Sequence, residues 1–230
     1  MPFTAQDTVI VVSGGTRSGE LEAITVPPAR HVIAADSGAA TAFELGLHVD
    51  DLVGDLDSVS PRDLARVEAG GGRIQRHPAA KDATDLELAL AVAVTLDPKR
   101  IIVLGGASGR FDHLLAGALL LASPAWAGVD STGTHVEAWL GRARVTVVRG
   151  SAELAATPGE LVSLLAVGAV ARGVTTAGLL YPLREEDLPP GSSRGVSNEF
   201  TRESATVTVA GGVLLAVAPG EMGTHVLEER

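Results

Sequence analysis

Apolar residues in the first part of the chain fall into short β-branched runs, each followed by polar or helically spaced positions. Val9-Ile10-Val11-Val12 ends in Ser13-Gly14-Gly15 and predicts a buried strand with a strand-to-helix loop. His31 to Ala35 predicts a second strand ending at Asp36, and Gly38 to Leu45 a short helix. Asp51-Leu52-Val53 runs straight into a Gly54-Asp55 turn. Pro61, at a first helical position after the cap residue Ser60, predicts a helix to about Ala69. Leu86, Leu88, Ala89, Leu90 and Val92 to Val94 predict a helix from Ala83 to about Leu96. Arg100 to Leu104 predicts another strand, Gly105 to Arg110 its loop, and Asp112 to Leu121 a helix that is apolar almost all round. A helix of that kind is expected to be buried, by the fold or by a second subunit. Strands separated by helices predict parallel pairing with right-handed crossovers.

Beyond about Leu140 the pattern changes. Val145 to Val148, Leu161 to Leu165, Gly173 to Tyr181 and Ala205 to Val217 are strand-like, broken by Pro158-Gly159, Pro189 to Ser193 and Gly211-Gly212. No helical periodicity appears there, so this part predicts a small antiparallel sandwich or barrel. The expected organisation is an α/β domain over residues 1–141, with a Rossmann-like parallel sheet, followed by an all-β sandwich over residues 142–230.

Composition narrows the function. The 230 residues are 46% apolar, enough for a full core, and carry a net charge of −10. That charge argues against a general binder of nucleic acid or anionic membrane, which needs a cationic field. With no cysteines, disulfides, thiolate metal sites and cysteine nucleophiles are excluded. No basic region precedes the first apolar run, and the longest apolar stretch, Leu114 to Ala122, is far short of the roughly 18 residues of a membrane span. A cytoplasmic location is the expectation.

The chemistry is concentrated in acidic clusters. They are Asp36-Ser37-Gly38, Gly54-Asp55-Leu56-Asp57-Ser58, Lys81-Asp82-Ala83-Thr84-Asp85 and Gly109-Arg110-Phe111-Asp112-His113. Each sits where a strand hands over to a helix, and in an open α/β sheet such loops gather at the carboxyl edge, where ligands bind. Carboxylates gathered there repel one another unless a cation sits among them, and oxygen-only ligation suits Mg²⁺ bound together with phosphates. Asp55 and Asp57 are two apart and point to one side of an extended turn, either as metal ligands or as an Asx-bonded turn. Asp82 and Asp85 have the spacing of a capping box, and the same helix start beside Lys81 is also a phosphate site. The glycine-containing loop before Arg110 lacks the Lys-Ser/Thr ending of a Walker A loop.

The order and spacing of these four motifs resemble the thiamine pyrophosphokinase family. Gly173-Val174-Thr175-Thr176, Gly178-Leu179, Tyr181-Pro182-Leu183 and Gly195-Val196-Ser197-Asn198-Glu199 resemble that family's thiamine-binding domain. The resemblance runs from about Val9 to Val217. It implies pyrophosphoryl transfer from ATP to the thiamine hydroxyl, giving thiamine diphosphate and AMP. It implies Mg²⁺ held by Asp55, Asp57 and Asp85, as the catalytic carboxylates, and ATP contacts from Asp36, Lys81, Asp82, Thr84, Arg110, Asp112 and His113. Tyr181, Ser197 and Asn198 would bind thiamine, with Tyr181 where the family often has Trp, and an aromatic face suits a thiazolium cation. A homodimer with its active site at the subunit interface is implied as well. The chain departs from the family at Ser37, usually Gly, and at Gly117, often Asn. Two rival expectations are a pyrophosphokinase for another heterocyclic alcohol such as a pterin, and a non-catalytic thiamine or nucleotide sensor.

Overall fold

The structure is a computed structural model that describes residues 3–15, 21, 24–106, 110–126 and 134–220. Of the loop from Gly105 to Arg110, residues 107–109 lie outside the described ones. The chain divides into two compact units, Met1–Gly141 and Arg142–Arg230.

The first unit is built on six parallel strands. They are β1 (Thr8–Val12), β2 (His31–Ala35), β3 (Asp51–Gly54), β4 (Arg73–Arg76), β5 (Arg100–Gly105) and β6 (His135–Leu140). Their order is β4-β3-β2-β1-β5-β6, with every neighbouring pair parallel. Helices α1 (Gly38–Glu44), α2 (Pro61–Ala69), α3 (Asp85–Thr95) and α4 (Phe111–Leu121) lie between them in sequence. Every residue of β1 is buried, as expected of a parallel strand covered on both faces. Ile10, Val12, Ala34, Leu52, Ile102 and Leu104 share one core cluster.

In this unit, strand and helix positions follow the hydrophobic pattern closely, with differences at β4, β6, α3 and α4. The strands β4 and β6 were not predicted. Arg-Ile-Gln-Arg carries one apolar residue and is the last strand of the order, while β6 includes Glu137, buried because Arg100 Nε on β5 donates to its Oε1 at 2.7 Å. The helix α3 begins later than expected and is not capped by Asp82. Its N-cap is Thr84, whose hydroxyl accepts from Glu87 N at 3.2 Å, so Asp85 is the first helical residue and no Asp82–Asp85 capping box forms. The helix α4 begins at Phe111, one residue earlier than expected, and within this chain it is not buried. Only Leu121 is buried, while Phe111, Leu115 and Leu119, successive at i+4, are 73%, 46% and 45% exposed.

The amino end of the sheet is tied by a polar network. Asp51, 1% exposed, accepts from Arg73 Nε at 2.6 Å and Gln75 Nε2 at 2.8 Å, and pairs with His31 Nε2 at 2.7 Å. Burial pushes its carboxyl pKa up, but hydrogen bonds from Arg73, Gln75 and His31 outweigh that and leave it below the ordinary value.

The second unit is all β. Its strands are β7 (Ala143–Val148), β8 (Ser151–Ala155), β9 (Leu161–Ala166), β10 (Ala171–Ala177), β11 (Glu186–Leu188), β12 (Asn198–Glu199), β13 (Ser204–Thr208) and β14 (Leu214–Ala218). They run antiparallel in the orders β12-β9-β14-β7 and β11-β10-β13-β8. Val148, Leu154, Val162, Leu164, Val174, Val207 and Leu214, drawn from both sets, form one buried cluster, which is the packing of a sandwich. The predicted strand over Gly173 to Tyr181 stops at Ala177 because Gly178 turns the chain with φ +85°. Ala205 to Val217 is two strands, separated at Gly211-Gly212. Among the described residues, no helix is long and apolar enough to cross a membrane.

Candidate functional site

The acidic clusters of the first unit follow strand ends, and backbone geometry brings them together. Asp36 leaves β2 in a left-handed conformation, φ +48°, with its N–H bonded to Val53 O at 2.9 Å. Leu56, between Asp55 and Asp57, is also left-handed at φ +67° and packs into the core cluster of the sheet. Such a conformation costs a non-glycine residue of order 1 kcal/mol or more and persists only where packing fixes it. With Leu56 drawn inward, the carboxylates on either side are turned outward at the end of β3. Gly54, φ +150°, makes room for Asp36 and Asp85, since a Cβ there would lie 2.9 Å from Asp85 Oδ1 and 3.2 Å from Asp36 Cβ.

One oxygen from each of Asp36, Asp55 and Asp57 lies within 4.8 Å of the other two. Like charges this close repel one another, so three of them favour a cation. Lys81 supplies part of one. Its Nζ is 3.2 Å from Asp55 Oδ2 and 2.8 Å from Asp85 Oδ1, bridging the β3 turn to the start of α3. The Asp36 side is not neutralised in this way. Asp36 is 9% exposed, its Oδ2 accepts from Ser58 Oγ, and its buried Oδ1 has no hydrogen-bond partner among the described residues.

Titration follows the same geometry. The Asp57 pKa is raised, first by the charge of Asp55 and then by burial. That of Asp55 is lowered by the backbone N–H of Asp57 and by Lys81. The Lys81 ammonium is favoured by its hydrogen bond to Asp85, which raises its pKa.

Of the residues expected around a metal and phosphates, the structure joins Asp36, Asp55, Asp57, Lys81 and Asp85. Thr84 is occupied in capping α3, and Asp82 is exposed. Arg110 and Asp112 pair with each other, Nη2 to Oδ2 at 2.5 Å, and that hydrogen bond holds the Asp112 carboxyl down to about 2. Both are largely exposed, as is His113 at the start of α4. Ser58 was passed over in the sequence because a hydroxyl one residue past an acidic pair carries no signal of what it bonds.

The second unit has a pocket of about 330 Å³ lined by Tyr181, Leu183, Ser192, Ser193, Arg194, Gly195, Val196 and Asn198. The Asn198 amide is committed to Tyr181. Its Oδ1 accepts from Tyr181 N at 3.0 Å and its Nδ2 donates to Tyr181 O at 2.8 Å, which leaves the Tyr181 ring 56% exposed. Ser197 is left-handed, φ +55°, and its N–H donates to Ser163 Oγ at 3.1 Å. Arg194 and Glu186 form a two-pronged ion pair at 2.9 and 3.0 Å that the sequence reading did not identify.

Comparison with known proteins assigns both units. Residues 25–130 match the family model described as thiamin pyrophosphokinase, catalytic domain. Residues 151–214 match the model described as thiamin pyrophosphokinase, vitamin B1 binding domain. The chain is similar to the thiamine pyrophosphokinase of Bacillus subtilis (strain 168), 27% identical over 222 residues, which is 91% of this chain and 97% of that relative. A crystal structure of thiamine pyrophosphokinase from Bacillus subtilis matches with TM-score 0.77 and 25% identity, covering 94% of this chain and 100% of that one. A thiamin pyrophosphokinase family protein from Enterococcus faecalis matches with TM-score 0.76, also at 25% identity, covering 94% and 100%.

Proposed function

We infer how this chain works from one premise: it belongs to the thiamin pyrophosphokinase family. Its activity is that of a thiamine diphosphokinase, which moves pyrophosphate from ATP to the thiamine hydroxyl and releases AMP. The observation that carries the residue roles is the group of Asp36, Asp55 and Asp57, with a buried Asp36 oxygen lacking a partner.

An all-carboxylate donor set fits Mg²⁺, a hard cation that takes oxygen ligands and leaves positions for phosphate oxygens. We propose that Asp55 and Asp57 hold it together with Asp36, and that Asp85 serves from the other side of Lys81. When bound, the ion neutralises charge on the transferring phosphates, an effect worth several kcal/mol. Lys81 adds a fixed ammonium beside those phosphates, and Arg110, once turned from Asp112, adds a guanidinium. The thiamine hydroxyl oxygen forms its bond to the β-phosphorus of ATP and gives up its proton to solvent as the bond from that phosphorus to the bridging α-phosphate oxygen breaks, and AMP carries away that oxygen. Catalysis then rests on alignment and charge neutralisation more than on covalent chemistry.

The pocket of the second unit supports a cationic, heterocyclic acceptor. The exposed Tyr181 ring offers a face to a thiazolium, worth about 0.5–2 kcal/mol. Asn198 acts by clamping Tyr181 from both sides of its peptide, and the strained Ser197 turn shapes the wall beside it. We also propose that the working form is a homodimer, a reading supported by the exposed Phe111, Leu115 and Leu119 line of α4.

The test is a panel of acceptors. Purified chain with Mg-ATP is expected to convert thiamine to its diphosphate, identified by mass, and to leave a pterin alcohol unchanged. Conversion of the pterin in preference to thiamine would reassign the substrate. Binding of thiamine and ATP by calorimetry without any product would make the chain a sensor.

A further inference from the structure

Asp36 is the most constrained of the three clustered carboxylates, and what constrains it is not itself acidic. Its backbone is fixed by the left-handed φ of +48° and by the bond from its N–H to Val53 O. One side of its Cβ is walled by Gly54, where a Cβ would approach to 3.2 Å. The remaining freedom is rotation of the carboxylate, and the only side-chain hydrogen bond to Asp36 among those described comes from Ser58 Oγ, to Oδ2. That bond selects which oxygen is left over. Oδ1, buried and without a partner among the described residues, belongs to the carboxylate that groups with Asp55 and Asp57.

The placement of Ser58 follows from the turn before it. Leu56 is anchored in the core with φ +67°, so the segment after it folds back over the end of β2. Ser58 itself is exposed. Hydroxyls and amides behind metal-binding carboxylates fix the orientation of the ligand, and their loss typically weakens metal affinity by about 10–100-fold.

We propose that Ser58 is a positioning residue for the metal, orienting Asp36 so that its free oxygen faces the ion held with Asp55 and Asp57. This rests on the metal reading given above. Ser58 touches neither substrate nor phosphate in this role; it acts through Asp36.

The test measures Mn²⁺ binding to the full chain without nucleotide, by the loss of the free-ion paramagnetic signal, for wild type, Ser58→Ala and Ser58→Thr. Ser58→Ala is expected to bind Mn²⁺ about tenfold more weakly, and Ser58→Thr, which keeps the hydroxyl, to bind as wild type does. In turnover, Ser58→Ala should raise the Mg²⁺ concentration for half-maximal rate while leaving the KM for thiamine unchanged. A lowered Tm with unchanged Mn²⁺ affinity would overturn the proposal, because a bond that only supports the fold gives that result. Threonine and alanine variants equally weakened would overturn it too. A wild-type chain that binds no Mn²⁺ would remove the metal reading itself, and Ser58's role with it.

Discussion

Gly54 shows at the scale of one residue how this site depends on what is missing. Asp36 and Asp85 come against it from either side, and a methyl group there would lie 2.9 Å from Asp85 Oδ1, with φ at +150°. Gly54→Ala is therefore expected to push both carboxylates apart and lower kcat/KM by about 10²-fold, or about 2.7 kcal/mol. Wild-type kinetics in that variant would show that the close approach is unimportant. Asp57 carries the raised pKa of the group, through the charge of Asp55, and Asp57→Asn removes the charge and one ligand oxygen without changing shape. Its turnover at limiting Mg²⁺ should fall by about 10²-fold or more; near-normal turnover would take Asp57 out of the metal group. The residue types of the site were legible in the sequence, since Asp55, Asp57, Lys81 and Asp85 stand in a recognisable order. The role of Gly54 was half legible, as a glycine beside acids implies close approach. The bond from Ser58 to Asp36 was not, because it joins residues 22 positions apart through a loop conformation that Leu56 enforces.

Elements place these residues, and their ends matter more than their lengths. The helix α3 starts one residue after Thr84, which turns Asp85 toward Lys81 where a capping role would have held it against its own backbone. Thr84→Ala should cost about 1 kcal/mol of stability and loosen Asp85, measurable as a lowered Tm. An unchanged Tm would mean that the Lys81–Asp85 pair alone fixes the helix start. At the opposite end of the sheet, Asp51 joins β2, β3 and β4 through His31, Arg73 and Gln75. Its folded-state pKa lies below the unfolded value of about 3.9, so its contribution is complete above that value and is lost as pH falls through the folded-state pKa. Asp51→Asn should therefore be about 2 kcal/mol less stable at neutral pH and should lose less stability than wild type on acidification. Parallel denaturation curves at every pH would contradict this. Continuous apolar runs made β1, β2 and β5 readable, whereas β4 and β6 are strands by virtue of neighbours, one as the last strand of its order and one by pairing Glu137 with Arg100. In β8 the buried and exposed positions alternate, but Ser-Ala-Glu-Leu-Ala has too little β propensity to stand out.

For the whole molecule, the chain forms two compact units, Met1–Gly141 and Arg142–Arg230. The apolar helix α4 was expected to be covered, and within one chain it is not. Sedimentation at micromolar concentration is expected to give a species of twice the chain mass, and Phe111→Asp or Leu115→Asp a monomer. A wild-type monomer would leave the exposed face of α4 unexplained and end the dimer proposal. In the proposed account the chemistry is divided between carboxylates with Lys81, for the phosphates, and the Tyr181 pocket, for the acceptor. The claim that unites them is transfer of a two-phosphate unit to thiamine, and the nucleotide product tests it most directly. Purified chain with Mg-ATP should release AMP only when thiamine is present, one AMP for each thiamine diphosphate formed. Release of ADP, or of AMP independent of thiamine, would contradict the account.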